Sequence, residues 1–258
     1  MMIHGCRVKS FLRGVVLLSL FASGAITASA YEVTTVSNGG TVTGTVQFTG
    51  DLPPPTAFEL RRYPDRDYCG ALSDGSGYRF LREVAVGPDQ GLKDVIVTIQ
   101  GIEKGKPFSF EETNLETNIC QFVPFVSVMR DQHPLVVKNL DSVSHDLQIY
   151  EREWEHIFIM FHRPALIKEG TRDVIRFTGN RRGVIMQCGM HAYMQGHGLA
   201  VENPYYAITG LEGTFAIKDL PSGTYRIKAW HPILGEHAQD VTVAANGTAS
   251  LGFSFKAK

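Results

Sequence analysis

The sequence predicts an all-β protein of sandwich or barrel type, and three observations predict it. Short segments rich in Val, Thr, Ile and aromatic residues recur along most of the chain. Gly, Pro and Asn punctuate them at fairly even intervals, the pattern of strands joined by tight turns. Signals for long amphipathic helices are weak.

In chain order, the first thirty residues stand apart. Arg7, Lys9 and Arg13 precede an apolar stretch from Val15 to Ile26, and Ala28-Ser-Ala30 follows. A basic start, a short apolar core and a small-x-small end predict an export signal over 1–30, cut after Ala30. The apolar run is shorter than the ~20 residues needed to span a bilayer. No later segment is long and apolar enough to do so, and the expected location is the periplasm or the extracellular space.

Thr41 to Phe48 alternates and is rich in Thr and Val, so it reads as a strand. Asp51 to Gly91 is rich in Pro, Gly, Arg and Asp and reads as a long loop region needing a fastening. Asp94 to Ile99, Phe122 to Met129, Leu135 to Asn139 and Asp146 to Tyr150 read as strands. Glu151 to Met160 reads as a short helix or an irregular loop. Val174 to Phe177 and Gly183 to Gln187 are strand-like again, and the tail adds Thr214 to Lys218, Thr224 to Trp230, Ala238 to Val243 and Thr248 to Phe255. Turns fall at Pro221-Ser-Gly223 and Asn246-Gly247.

Composition narrows the function. Hydrophobic residues make up 43% and charged residues 20% of the chain, which suits a globular protein and not a disordered one. Without the first thirty residues the chain keeps 25 − 3 = 22 basic and 26 acidic side chains, a net charge of −4. No basic run suggests nucleic acid. Cysteine parity says more. Removing Cys6 leaves Cys69, Cys120 and Cys188, and in an oxidising compartment two would pair and leave one for another task. A Cys69–Cys120 disulfide would tie the long loop to the sheet; the alternative is that both stay free.

The odd cysteine lies in Cys188-Gly-Met-His191-Ala-Tyr-Met194, directly after the strand Val184 to Gln187. Upstream stands Asn139-Leu-Asp141-Ser-Val-Ser-His145. Cu(I) favours thiolate and thioether sulfur, and Cu(II) favours imidazole. A plane of two His and one Cys with a weak axial Met serves both. Cys188, His191 and Met194 follow one another at three-residue steps, so one curled loop can aim all three inward.

These residues resemble the cupredoxin (blue copper, plastocyanin-like) family, which carries an Asn-x-Asp-x-x-x-His segment followed by a Cys-x-x-His loop ending in Met. The spacing here is similar to the short amicyanin-type loop, and Phe122-x-Pro124-x-x-x-Val128 resembles the family's preceding strand. The tail resembles a second family, the carboxypeptidase-regulatory-like (transthyretin-like) β-sandwich. Thr209, Gly213, Phe215, Ile217, Leu220, Pro221, Gly223 and Tyr225 match its hairpin signature. Gly40-Thr-Val42-Thr-Gly44-Thr-Val46 matches its opening strand. The combination looks like predicted periplasmic plastocyanin-like proteins, some labelled methylamine-utilisation proteins.

The resemblances imply a cupredoxin-like Greek-key β-sandwich over 106–203 plus a second small transthyretin-like β-sandwich. The second would be formed by 204–258 with contributions from 31–105, nested around the first; a tandem arrangement is the alternative. They imply one type 1 copper held by His145, Cys188 and His191, with Met194 axial. His197, Met190 or a backbone carbonyl are the other axial choices. They imply electron transfer with a redox partner protein and no enzymatic activity, and the exposed edge of His191 as the route for electrons. A Cu(I) chaperone or sensor, or a structural β-protein with a degenerate site, are the alternatives. Asn139 and Asp141 would brace the ligand loops. This chain departs from the family by having Phe125 where relatives often carry His, and Ala192-Tyr193 within the ligand loop. His231 and His237 read as structural or as a surface patch. His156, Met160 and His162 read as a solvated loop, with a second Cu(I) site as the alternative.

Overall fold

The computed structural model describes residues 31–257 except 131, 154–155, 163–170 and 175–182. The export signal expected over 1–30 and the strand residues expected at 175–177 lie outside the described residues. Among those described, no helix is long and apolar enough to cross a membrane. The protein is all-β, as the strand pattern predicts, and its main sheets form two sandwiches.

The first sandwich packs a three-stranded sheet, ordered Thr214–Leu220, Gly40–Phe48, Thr248–Phe255, with a four-stranded one. The latter is ordered Tyr206–Ile208, Ile96–Gln100, Gly223–His231, Gly235–Val243. Alternation places Val42, Val46 and Phe48 inward from one strand and Phe215 and Ile217 from its neighbour. They meet Val97, Ile99, Ile227, Phe253 and Phe255 in one core. Each such side chain, fully buried, contributes about 1.5–3 kcal/mol from apolar burial. Gly44 has no alternative in this packing, because a Cβ there would lie 2.0 Å from the Leu251 carbonyl oxygen and 2.6 Å from the Phe215 ring.

The second sandwich carries the candidate site. Its five-stranded sheet runs His156–His162, Leu147–Glu153, Gly183–Cys188, Gln195–Val201, Val126–Arg130. Its four-stranded sheet runs Thr171–Val174, Pro134–Asn139, Thr113–Thr117, Phe122–Val123. Leu115, Met129, Leu135, Val137, Leu147, Ile149, Val184 and Met186 form the core between them. A smaller seam of Ile96, Val126, Val128, Leu199 and Val201, with Trp230 and Tyr206 against it, joins the two sandwiches.

Two expectations are corrected here. The segment Glu151 to Met160 is neither helix nor loop: Leu147–Glu153 and His156–His162 pair antiparallel, with an irregularity between Ile149 and Tyr150. The β-branched and aromatic run Ile157-Phe-Ile-Met-Phe161 accounts for it. The stretch 51–91 is not one long loop. It holds an antiparallel pair, Thr56–Glu59 with Tyr78–Leu81, enclosing short helical turns at Leu60–Arg62, Arg66–Cys69 and Gly70–Leu72. Cys69 and Cys120 form a disulfide that fastens this cap to the turn before Phe122. Closing a loop with a sequence separation of 51 stabilises the fold by about 4 kcal/mol in the chain-entropy description.

Candidate metal centre

The strand Gly183–Cys188 delivers Cys188 to one end of the five-stranded sheet, opposite Leu147. The loop that follows is pinched shut. Met194 N–H donates to the His191 carbonyl at 2.8 Å, and Cys188 N–H donates to the Met194 carbonyl at 3.1 Å. Gly189 N–H donates to the Asp146 carbonyl at 2.8 Å, binding this loop to the one that holds His145. A Cβ on Gly189 would stand 2.4 Å from Asp146 Oδ2 and 2.5 Å from Gln148 Nε2, so another residue there would push those two side-chain ends aside.

The His145 loop is braced by the two residues expected to brace it. Asn139 Oδ1 accepts from Thr117 Oγ1 at 2.5 Å and from Asp141 N–H at 3.0 Å, and its Nδ2 donates to the Val143 carbonyl at 2.8 Å. Asp141 Oδ2 lies 2.7 Å from His145 Nε2 and accepts from Cys120 N–H at 3.1 Å. Tyr68 hydroxyl donates to Asp141 Oδ1 at 3.0 Å. Burial acts to raise the Asp141 pKa, but the bonds from His145, Cys120 and Tyr68 outweigh it and hold the carboxyl below the usual range. An ionised carboxylate only accepts, so His145 Nε2 carries the proton and Nδ1 presents its lone pair.

That lone pair points into a cluster. His145 Nδ1 and His191 Nδ1 are 3.4 Å apart, and Cys188 Sγ lies 3.9 Å from the first and 3.6 Å from the second. All three residues are fully buried. A triangle with sides of 3.4, 3.6 and 3.9 Å has a circumradius of about 2.1 Å, against typical metal–nitrogen and metal–sulfur lengths of about 2.0–2.1 and 2.3 Å for zinc. A first-row ion therefore fits the three donor atoms as they stand. Burial pushes the Cys188 thiol pKa up, while the amides of Asp146, Met190 and His191 pull it the other way. The sulfur keeps its proton until a cation displaces it.

Met194 is fully buried in the same core cluster as Cys188, and Met190 is half-buried against it. His197 is outside the donor cluster. It sits on Gln195–Val201, with its ring 5.1 Å from that of Phe125 and its Nε2 buried without a partner. Burial lowers its pKa to about 4. His231 is buried, and its Nδ1 accepts the amides of Ile233 and Leu234 at 3.2 and 3.3 Å, a structural role. His162 belongs to a strand and not to a solvated loop, and its Nε2 is 3.4 Å from Asp146 Oδ1. The side chains of His156 and Met160 lie outside the described residues. A second group, Cys120 with Asp141 and His145, brings three donor atoms close together. Its sulfur is committed to the disulfide and its other two atoms bond each other.

The expected exposed edge of His191 is corrected by the structure: the ring is fully covered by the cap. His191 Nε2 lies 3.4 Å from Asp65 Oδ2 and 3.8 Å from Cys69 Sγ. Burial foremost, then the proximity of His145, lowers its pKa; Asp65 and the Pro64 carbonyl act in the other direction. The Asp65 carboxylate beside Nε2 favours the proton on that nitrogen, and Nδ1 faces Cys188 and His145. Beside it, Tyr193 is buried with its ring 5.6 Å from that of His191, and Tyr63 meets Tyr193 edge-on at 5.1 Å. Phe58 also packs on Tyr193, at 6.2 Å. Asp65, Tyr63 and Tyr68 carry no motif that marks them in the sequence. The only signal for them was Cys69, which needed a partner.

No family model matches the sequence, and the search for similar characterised proteins gives no match. Among solved structures, the chain is similar to a purple cupredoxin from Nitrosopumilus maritimus, with 15% identity over 36% of this chain and 100% of that one, at a TM-score of 0.29. It is similar to amicyanin from Paracoccus versutus, with 11% identity over 41% of this chain and 97% of that one, at a TM-score of 0.28. It is also similar to a copper-containing nitrite reductase from Thermus scotoductus, with 17% identity over 38% of this chain, at a TM-score of 0.28. The match spans only 24% of the reductase's length. With TM-scores of 0.29 or less, what the site can do rests on its own donor atoms.

Proposed function

We propose that this chain is an exported type 1 copper protein that carries electrons. Copper would be held by His145, Cys188 and His191, with Met194 as a fourth donor. The observation that carries the reading is the triangle of two imidazole nitrogens and one cysteine sulfur, sized for a first-row cation. Bound there, copper supplies one-electron exchange between its two common oxidation states. The chain's own residues do the rest. Asp141 fixes the His145 tautomer, Asp65 favours the matching one at His191, the pinched 188–194 loop fixes the sulfur, and the cap excludes water. Rigid, dry donors resist rearrangement as the charge on the metal changes.

The same burial favours a carrier over an enzyme. His145, Cys188, His191 and Met194 are each fully buried, which leaves no open approach for a substrate. In this reading residues 1–30 direct export, 106–203 form the copper sandwich, the segment 51–91 supplies its cap, and the rest of 31–105 with 204–258 forms a regulatory-like scaffold for docking a redox partner.

The test is metal analysis with an optical spectrum on the copper-loaded, oxidised protein and on Cys188→Ser. One copper per chain and an intense visible thiolate-to-copper band, absent in Cys188→Ser, is the expected result. Tight Cu(I) binding without that band would make the protein a Cu(I) carrier. No stoichiometric copper would leave a β-scaffold with an unused site.

A further inference from the structure

The cap touches both imidazoles through one disulfide. On one side, Cys69 Sγ lies 3.8 Å from His191 Nε2. On the other, the Cys120 amide donates to Asp141 Oδ2, which in turn binds His145 Nε2. Tyr68, in the same short helical turn as Cys69, bonds the other oxygen of Asp141. Phe58 and Tyr63 cover Tyr193. The two halves of the disulfide are themselves buried. The cap therefore covers the approach to the three donor atoms from the His191 side.

We infer that the Cys69–Cys120 disulfide is a closing device: copper enters the open, reduced chain, and formation of the disulfide then seals the loaded centre. The inference rests on the copper reading above. Closure is a two-electron oxidation. One cysteine thiolate attacks the disulfide of a thiol-oxidising protein and forms a mixed disulfide. The second cysteine thiolate displaces it. The chain loses two thiol protons and two electrons, and the oxidant leaves as a dithiol. Loading first also protects the pairing. The reduced chain presents three thiols, and the His191 ring lies between Cys69 Sγ at 3.8 Å and Cys188 Sγ at 3.6 Å. With its sulfur held by the metal, Cys188 is withdrawn from competition for either partner.

The experiment compares metal-free wild type, its disulfide intact, with the metal-free Cys69→Ser/Cys120→Ser double variant. In both, Cys188 is the only free thiol after export. The readout that needs no metal is the rate of Cys188 alkylation by iodoacetamide, followed by mass. The second readout is the rate of Cu(II) uptake. Both rates are expected to rise by at least about tenfold in the double variant, because the cap then opens locally more often. Equal alkylation rates in two folded proteins overturn the inference. If circular dichroism shows the double variant unfolded, Cys69→Ala/Cys120→Val, which keeps both buried positions apolar, decides instead: faster alkylation supports the closing device and an unchanged rate overturns it. A faster alkylation with no copper bound by either protein would sink the copper reading and leave the cap standing. Equal alkylation with normal copper binding would do the reverse.

Discussion

Asp141 holds His145 by its far nitrogen: Oδ2 and Nε2 are 2.7 Å apart, and neither side chain is exposed. The bond turns the near nitrogen, Nδ1, into a lone pair aimed at Cys188. Asp141→Ala removes the acceptor that fixes this tautomer and orphans the Cys120 amide. Metal affinity is expected to fall by about 10–100-fold, the usual cost of losing such a partner. Competition with a chelator of known affinity measures it. An unchanged affinity would show that the ring is oriented by something else.

Met194→Leu conserves volume in a fully buried position, so the metal-free protein should lose less than about 1.5 kcal/mol in stability. If Met194 is the fourth donor, the substitution leaves three ligands, which Cu(I) tolerates better than Cu(II), and the potential rises. Voltammetry of the two loaded proteins checks this. Identical potentials would assign the axial place to another group.

The buried His197 sets an acid limit on stability. Its folded pKa, about 4, lies below its ordinary value of 6.5, so the folded state takes up its proton later than the unfolded state. The neutral ring's contribution is therefore complete above pH 6.5 and lost as pH falls through the folded value, in total about 3 kcal/mol. His197→Phe should flatten the fall of Tm between pH 6.5 and 4 in the metal-free protein. Curves that stay parallel would remove His197 from the acid response.

Reducing or deleting the Cys69–Cys120 link frees a loop with a sequence separation of 51 in the unfolded chain. The expected loss of about 4 kcal/mol corresponds to a drop of about 10 °C in Tm for a domain of this size. Thermal melts of the metal-free wild type with and without reductant, under denaturing pre-incubation so that the buried sulfurs are reached, give the value. A drop of only a degree or two would mean that the cap is already ordered in the unfolded ensemble.

The sequence made the strands legible wherever one face is apolar and the other polar. Gly40–Phe48, Thr214–Leu220 and Pro134–Asn139 are such strands. That His145, Cys188 and His191 come together was legible because donor chemistry restricts which residues can cluster in this order. Two parts were not. Ile157 to Phe161 followed a charged run, and the charges of Glu151 to Glu155 masked the strand signal. The cap residues were hidden because short helical turns around Leu60 and Cys69 owe their form to burial against a core supplied by distant strands. Local preference contributes little there. The covering of His191 follows from that tertiary packing, and a motif that names the ligand cannot say what lies over it.

The strand Gly40–Phe48 has its hydrogen-bonding neighbours in Thr214–Leu220 and Thr248–Phe255, and Ile96–Gln100 has its neighbours in Tyr206–Ile208 and Gly223–His231. As the ribosome extends the chain, both segments must wait, edges bare, until more than a hundred later residues have emerged. Such long-range pairing is slow and leaves edges open to wrong partners. A chain truncated at residue 205 would leave these two strands without any of those partners. It would be expected to aggregate even if the sandwich in its middle folded.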